Sequence, residues 1–173
     1  MQRQAIPLKQ INLSAIDIFN RWLLLACGDY AGGQYNAMTI SWGSAGVMWN
    51  KPFVMVVVRP TRYTYEFMER FDTFTLSAFP PRLKPALDLL GTRSGREGNK
   101  IQDSGLTPTA CSRIAAPAFA EAELILECRK TYFDDFQPEH FLAGYIPPNY
   151  DQDYHRMYFG EILAAQGITK YLG

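Results

Sequence analysis

Regular patterning begins at residues 22–27, Trp-Leu-Leu-Leu-Ala-Cys, and resumes at 35–41, Tyr-Asn-Ala-Met-Thr-Ile-Ser, with Gly28, Asp29, Gly32 and Gly33 between them. Two short β-prone runs around a glycine-rich connection predict a hairpin. Residues 53–58 are apolar at every position and lie between Pro52 and Pro60. That pattern predicts a strand covered on both faces and central in its sheet. Helix formers with Phe67 and Phe71 predict a short helix over 63–70 with its Phe67 side inward, then a strand over 74–79 ended by Pro80 and Pro81. A second short helix is expected over 83–90, stopped at Gly91. Over 122–132 polarity alternates: Leu124, Leu126 and Cys128 fall on one side, Glu123, Glu127 and Arg129 on the other. This is the pattern of an antiparallel strand with one face in water. A last strand is predicted over 155–164, where Gly160 marks a bulge or a close approach. Strands with short helices between them argue for a mainly β fold, a small barrel, and against a doubly wound sheet.

The chain has 173 residues, without repeats or low-complexity linkers, and reads as a single domain over 1–173. That length buries roughly 70% of the unfolded surface and needs no disulfide or metal. Seventeen basic residues balance seventeen acidic ones, so no global field draws nucleic acid or an anionic membrane, and any anion site must be local. Cys27, Cys111 and Cys128 are odd in number and lack metal-ligand spacing, which reads as reduced thiols packed as small hydrophobes. The first residues lack the apolar core of a signal peptide, and the longest apolar run is too short to span a bilayer. The expected location is the cytoplasm. His140 and His155 are the only histidines, and no serine sits in a nucleophile elbow, so hydrolase and metal chemistry fit poorly.

Candidate chemistry concentrates between residues 36 and 64. If 36–42 is a strand, Met38 and Ile40 face one side while Thr39 and Ser41 face the other. Hydroxyls with backbone donors suit the polar edge of a flat ring; the alternative is an edge strand with solvated hydroxyls. Gly43 and Gly46 permit close approach of a ligand or a partner. In Val-Arg-Pro-Thr-Arg-Tyr-Thr, residues 58–64, Arg59 and Arg62 flank a proline-stiffened turn, and Thr64 opens a helix whose free amides favour an anion. Guanidinium bonds to a phosphomonoester are about twice as strong as neutral ones; alternatively, these arginines pair with Glu66 or Glu69. Arg93, Arg96 and Lys100 share a face if 94–103 is helical. They then clamp a phosphate or a nicotinamide nucleotide's pyrophosphate, or else form a solvated basic loop. Gly91, Gly95 and Gly98 are not the dinucleotide fingerprint. Residues 134–153 are acidic, carry Phe136, Phe141, Tyr145 and Tyr150, and hold three prolines. A connection of that length is expected to cover a bound ring or embrace a second subunit, a plain surface loop being the alternative. His155 either meets a ligand or serves the structure.

Asn-Ala-Met-Thr-Ile-Ser-Trp at 36–42, Asn-Lys-Pro at 50–52, the 58–64 turn, Ser-Gly-Arg at 94–96 with Lys100, Gly-Leu-Thr at 105–107, Leu-Glu-Cys at 126–128 and His155 followed by Gly160-Glu161-Ile162 form an ordered series. Together these motifs resemble the flavin reductase-like proteins, which have the FMN-binding split-barrel fold and include flavoredoxins. The resemblance implies a six-stranded Greek-key barrel, a homodimer with FMN near the interface, and NADH or NADPH as transient electron donor. It places Asn36, Met38, Thr39, Ile40, Ser41 and Trp42 along the isoalloxazine and ribityl chain. Arg59, Arg62, Tyr63, Thr64, Ser94, Arg96 and Lys100 belong around the phosphate, and His155 is the candidate catalytic residue. The chain departs from the family's Gly-Asp-His before the last strand, with Asp153-Tyr154-His155 instead. The expected function is an NAD(P)H-dependent flavin reductase that passes electrons onward to an acceptor, including an acceptor protein. The alternative is a flavoredoxin-like carrier that holds FMN tightly and is reduced by a protein partner.

Overall fold

Period-two alternation decides the architecture, because several strands bury both faces. In β2 (Leu23–Asp29) the side chains of Leu23, Leu25 and Cys27 join one core cluster, while Leu24 and Ala26 join a second. A computed structural model describes residues 2–173. Besides β2 it contains β1 (Gln4–Ala5), β3 (Gln34–Ile40), β4 (Gly43–Met48), β5 (Lys51–Val58), β6 (Thr73–Ala78), β7 (Pro108–Thr109), β8 (Ala118–Phe119), β9 (Leu124–Asp135) and β10 (Arg156–Gly167). Its helices are α1 (Ala15–Asn20), α2 (Tyr63–Arg70), α3 (Lys84–Thr92) and α4 (Lys100–Asp103). Eight strands form one antiparallel sheet in the order β3-β2-β6-β9-β10-β5-β4, with β1 added to β10. The sheet curls around the first cluster without closing, as a split barrel does. Among the described residues no helix is long and apolar enough to cross a membrane.

The predicted hairpin is β2–β3, paired from Leu23↔Ile40 to Asp29↔Gln34. The all-apolar run lies in β5, between β10 and β4, with Val54, Val56 and Val58 in the barrel core. This strand begins at Lys51, so Pro52 lies inside it, opposite Val47. Strand β4 was not legible in the sequence. Its six residues include two glycines and a serine, and it exists because a two-residue turn at Trp49 and Asn50, both at positive φ, folds it onto β5.

Three further expectations change. Helix α2 turns Thr64 and Met68 inward, leaving Phe67 half-buried. Strand β9 has no wet face along its first half. Glu123 and Glu127 are buried, and the Glu127 carboxylate accepts hydrogen bonds from Ser112 N, Ser112 Oγ and Arg113 N at 3.1, 2.8 and 2.7 Å. Residues 94–103 are not one helix: a tight turn at Gly95–Glu97 precedes α4, and Gly98 between them sits at φ 141°. Gly160 behaves as read, with a register shift beside it and no room for a side chain, since a Cβ there would lie 2.5 Å from Cζ of Phe74.

Candidate cofactor site

Where β3 ends, the 59–62 turn and α3 come together and leave three adjoining recesses. The first, about 220 Å³, is lined by residues 38–42, Val57, Arg59, Arg62 and His155. The second, about 80 Å³, shares Met38 and Arg62 with the first and adds Thr61, Tyr63, Thr64, Leu90, Thr92, Arg93, Ser94 and Lys100. The third, about 210 Å³, lies against Thr39, Ile40 and Ser41, with Trp22 and, from α3, Leu87, Asp88, Gly91 and Thr92 opposite.

The β3 alternation follows the sequence reading. Met38 and Ile40 are buried in the barrel core, and Thr39 faces α3. The Thr39 hydroxyl is engaged, donating to the Leu87 carbonyl at 2.5 Å. Ser41 and Trp42 are exposed, Trp42 by 57%, so their edges are open to a ligand. Asn36 lies deeper. Its Nδ2 donates to Thr64 Oγ1 at 2.8 Å, and both side chains are buried, so it supports the second recess from behind instead of lining a ring.

The cationic residues divide into two sets. Arg59 pairs with Asp153 and lies over the Tyr150 ring, 5.1 Å from its centroid. Arg93 pairs with Asp103 at 2.8 Å, and Arg96 with Glu66 at 2.5 Å and with the Thr61 carbonyl at 3.2 Å. The surface pairing with Glu66 thus describes Arg96, which lines none of the three recesses. Arg62 has no carboxylate within ion-pair distance among the described residues, and it lines both the first and second recesses. Lys100 is 4% exposed; its Nζ donates to the carbonyls of Leu90 and Arg93 at 2.9 and 3.0 Å. An ammonium has three donors, so one remains. Burial first, then the nearby Arg62, pushes the Lys100 pKa down to about 8. Two crowded cations with unused donors call for an anion. The N-terminus of α2 adds to this, because among the described residues no side chain caps it and it opens on the same recess. Ser94 lines this recess too, its Oγ accepting from the Arg96 amide at 3.2 Å.

The 134–153 segment reaches the site from the far end. Beyond β9 it makes two tight turns, Pro138–His140 and Pro147–Asn149. Its rings and that of the adjoining Tyr154 pack in a tilted series, Phe136 on Phe141, Phe141 on Tyr154 and Tyr154 on Tyr150, at centroid separations of 5.8, 5.2 and 4.8 Å. The Tyr150 hydroxyl meets His155 Nδ1 at 3.0 Å, and the His155 ring lies 5.1 Å from Trp42. Burial, with Arg59 second, pushes the His155 pKa down to about 4, so the imidazole is neutral near pH 7. The neutral ring and the Tyr150 hydroxyl share one hydrogen bond through Nδ1, and Nε2 is left for a further partner. Tyr150, Asp153 and Val57 were not picked out as site residues by the sequence. The aromatic density of the segment was the available signal, but it does not reveal which ring docks.

A flavin reductase like domain matches residues 20–169, nearly the whole chain. The chain belongs to the flavin reductase-like family. An uncharacterized protein of Pyrococcus abyssi is similar at 25% identity over 118 residues, which cover 66% of this chain and 65% of that protein. An FMN-binding domain of a flavin reductases-like enzyme from Shewanella baltica superposes with a TM-score of 0.69 at 18% identity, covering 98% of this chain and 78% of the other. Flavoredoxin from Methanosarcina acetivorans gives 0.68 at 23% identity, with 97% and 74% covered. At these identities the two structures establish the split-barrel fold of this family member.

Proposed function

We propose that this family member binds FMN in the three recesses and catalyses its reduction by NADH or NADPH, electrons passing onward to an acceptor. The observation that carries this reading is the pairing of Arg62 and Lys100, two cations with unused donors, at one end of a slot whose other end is the exposed edge of β3. A phosphate fits the first feature and a flat polar ring the second. The FMN-binding domain from Shewanella baltica, of the same fold, supports the same cofactor.

Bound flavin supplies the ring that accepts a hydride and releases electrons. The chain's own residues bind and orient. Arg62, Lys100 and the first amides of α2 hold the phosphate; Thr64, fixed by Asn36, keeps the helix start in place. The backbone and side chains of residues 39–42 meet the ring edge. His155 offers Nε2 to a ligand atom in the first recess, and Trp42 and Tyr150 exclude water on that side. The same reading pairs two copies of the chain through β4, whose outer edge is unpaired among the described residues and which, with the turn after it, shows Val47 and Trp49 to solvent.

An anaerobic titration of the FMN-loaded protein with NADH and then NADPH, followed by flavin absorbance, tests the reading. Bleaching is expected, and the faster donor is the preferred one. Flavin that stays oxidised with both donors but is reduced by dithionite would replace the reductase with a carrier fed by a partner protein.

A further inference from the structure

Trp22 is held at φ 66°, in the left-handed region that costs a bulky residue far more than glycine or asparagine. It joins α1 to β2. Its amide donates to the Phe19 carbonyl at 3.1 Å, and it stands one position before Leu23, which pairs with Ile40 of β3. A residue serving that turn alone would be glycine or asparagine; the side chain present is an indole. Its ring lies against α3, where Lys84 Nζ sits 4.8 Å from the ring centroid, and a cation over an indole holds it in place. Trp22 is half-buried, packs on the second core cluster and borders the third recess. The rest of that recess is firmly built. A Cβ on Gly91 would lie 3.2 Å from Thr39 Cβ, so α3 packs closely on β3. The hydroxyls of Thr39 and Thr92 are spent on the Leu87 and Asp88 carbonyls at 2.5 and 2.8 Å, which leaves Trp22, Ile40 and Leu87 as the main contact surface.

We infer that Trp22 is a cofactor-contacting residue, its indole being the platform against which the flavin ring packs where the ring extends from the first recess into the third. The inference rests on the FMN reading of these recesses. The two, about 220 and 210 Å³, adjoin along Thr39, Ile40 and Ser41. Each is smaller than the roughly 300–1,000 Å³ usual for small-molecule sites, so a fused three-ring system needs both. Flat rings pack offset or edge-to-face on one another, and indole offers the largest such surface of any side chain. Lys84 keeps the indole from turning away. The strain at residue 22 is then the means by which a turn residue brings its ring to the end of β3. With the α3 side closed by the indole, a second reactant reaches the flavin ring from the first recess, beside Trp42 and His155.

An indole in contact with a flavin gives an electron to the excited ring and shortens its fluorescence lifetime; a phenyl ring does not. The lifetime of bound FMN is therefore compared between Trp42→Phe and the double variant Trp22→Phe/Trp42→Phe. The indole of the first recess is absent from both, so residue 22 is read by itself. Flavin-free wild type, Trp22→Phe and Trp22→Leu are also titrated with FMN. The lifetime should lengthen severalfold when Trp22 is replaced. Affinity should fall about tenfold in Trp22→Leu but stay within about threefold of wild type in Trp22→Phe, which keeps a flat ring. An unchanged lifetime overturns the inference whatever the affinities do, because weaker binding without a change at the ring is what a purely structural role gives. An affinity unchanged in Trp22→Leu overturns it as well, since a platform removed without loss holds nothing; the flavin reading stands in both cases. If FMN fails to bind wild type, the flavin reading falls first and the inference with it.

Discussion

Asn36 on β3 and Thr64 on α2 are joined by a 2.8 Å hydrogen bond between two buried side chains. The bond ties the strand that presents the ring edge to the helix that presents the anion recess. Asn36→Ala leaves the Thr64 hydroxyl buried without this partner and should cost about 1–3 kcal/mol of stability. Urea denaturation would measure that loss, and FMN titration should show weaker binding as the start of α2 loosens.

Two arginines of the same neighbourhood should behave differently. Arg62→Ala removes a free cation from the recess, a charge-assisted contact worth roughly 1.5–3 kcal/mol, so the FMN dissociation constant should rise about tenfold or more. Arg96→Ala breaks the exposed pair with Glu66 and the bond to the Thr61 carbonyl, but removes no cation from the recess, and should leave FMN affinity within about twofold. Equal losses for the two variants would show that the phosphate lies toward Arg96.

Lys100 makes cofactor affinity depend on pH. Its pKa in the flavin-free protein is pushed down to about 8 by burial and by Arg62. An anion binds the protonated form and raises that pKa, so affinity should be steady just below pH 8 and fall as the pH rises above it. Titrations of FMN across that range should show the decline, and Lys100→Met should remove it along with much of the affinity.

His155 acts on stability in the acid range. Its folded pKa, about 4, lies below that of an exposed histidine, about 6.5, so between these values the unfolded chain binds more protons. Stability should therefore decline as pH falls from about 6.5 toward 4, and this contribution should level off below the folded pKa. Urea midpoints measured across the window should lose that part of the slope in His155→Gln. A slope unchanged in the variant would assign the decline to other groups.

Gly160 is the position where β10 passes over Phe74. Gly160→Ala places a Cβ 2.5 Å from a ring atom that is itself fully buried, and overpacking of that kind costs typically about 1–3 kcal/mol. Calorimetry should find a lowered Tm, and Phe74→Leu in the same chain should recover part of it by vacating the space.

The strands with strong local signals were legible. The β2–β3 hairpin is marked by its glycines, β5 by its unbroken apolar run, and the β10 bulge by Gly160. These patterns belong to the chain itself, because turn chemistry and period-two burial act between near neighbours. Glu123 and Glu127 misled for the same reason. Alternation predicts which residues share a face, but whether that face meets water depends on segments far along the chain, here the amides of Ser112 and Arg113 closing over Glu127.

The candidate site follows the same division. Sequence alone determined the chemistry available: hydroxyls and amides at 36–42, arginines beside the α2 start, a lysine at 100, and aromatic rings in 134–153. Only the tertiary structure decided how it is used. Arg59 and Arg96 are turned to Asp153 and Glu66, while Arg62 and Lys100 keep free donors at one recess. Asn36 is drawn beneath Thr64, and Tyr150 is set against His155. The physical reason is that a charge takes its partner by distance in space, and the partners of Arg59 and Arg96 lie 94 and 30 residues away along the chain.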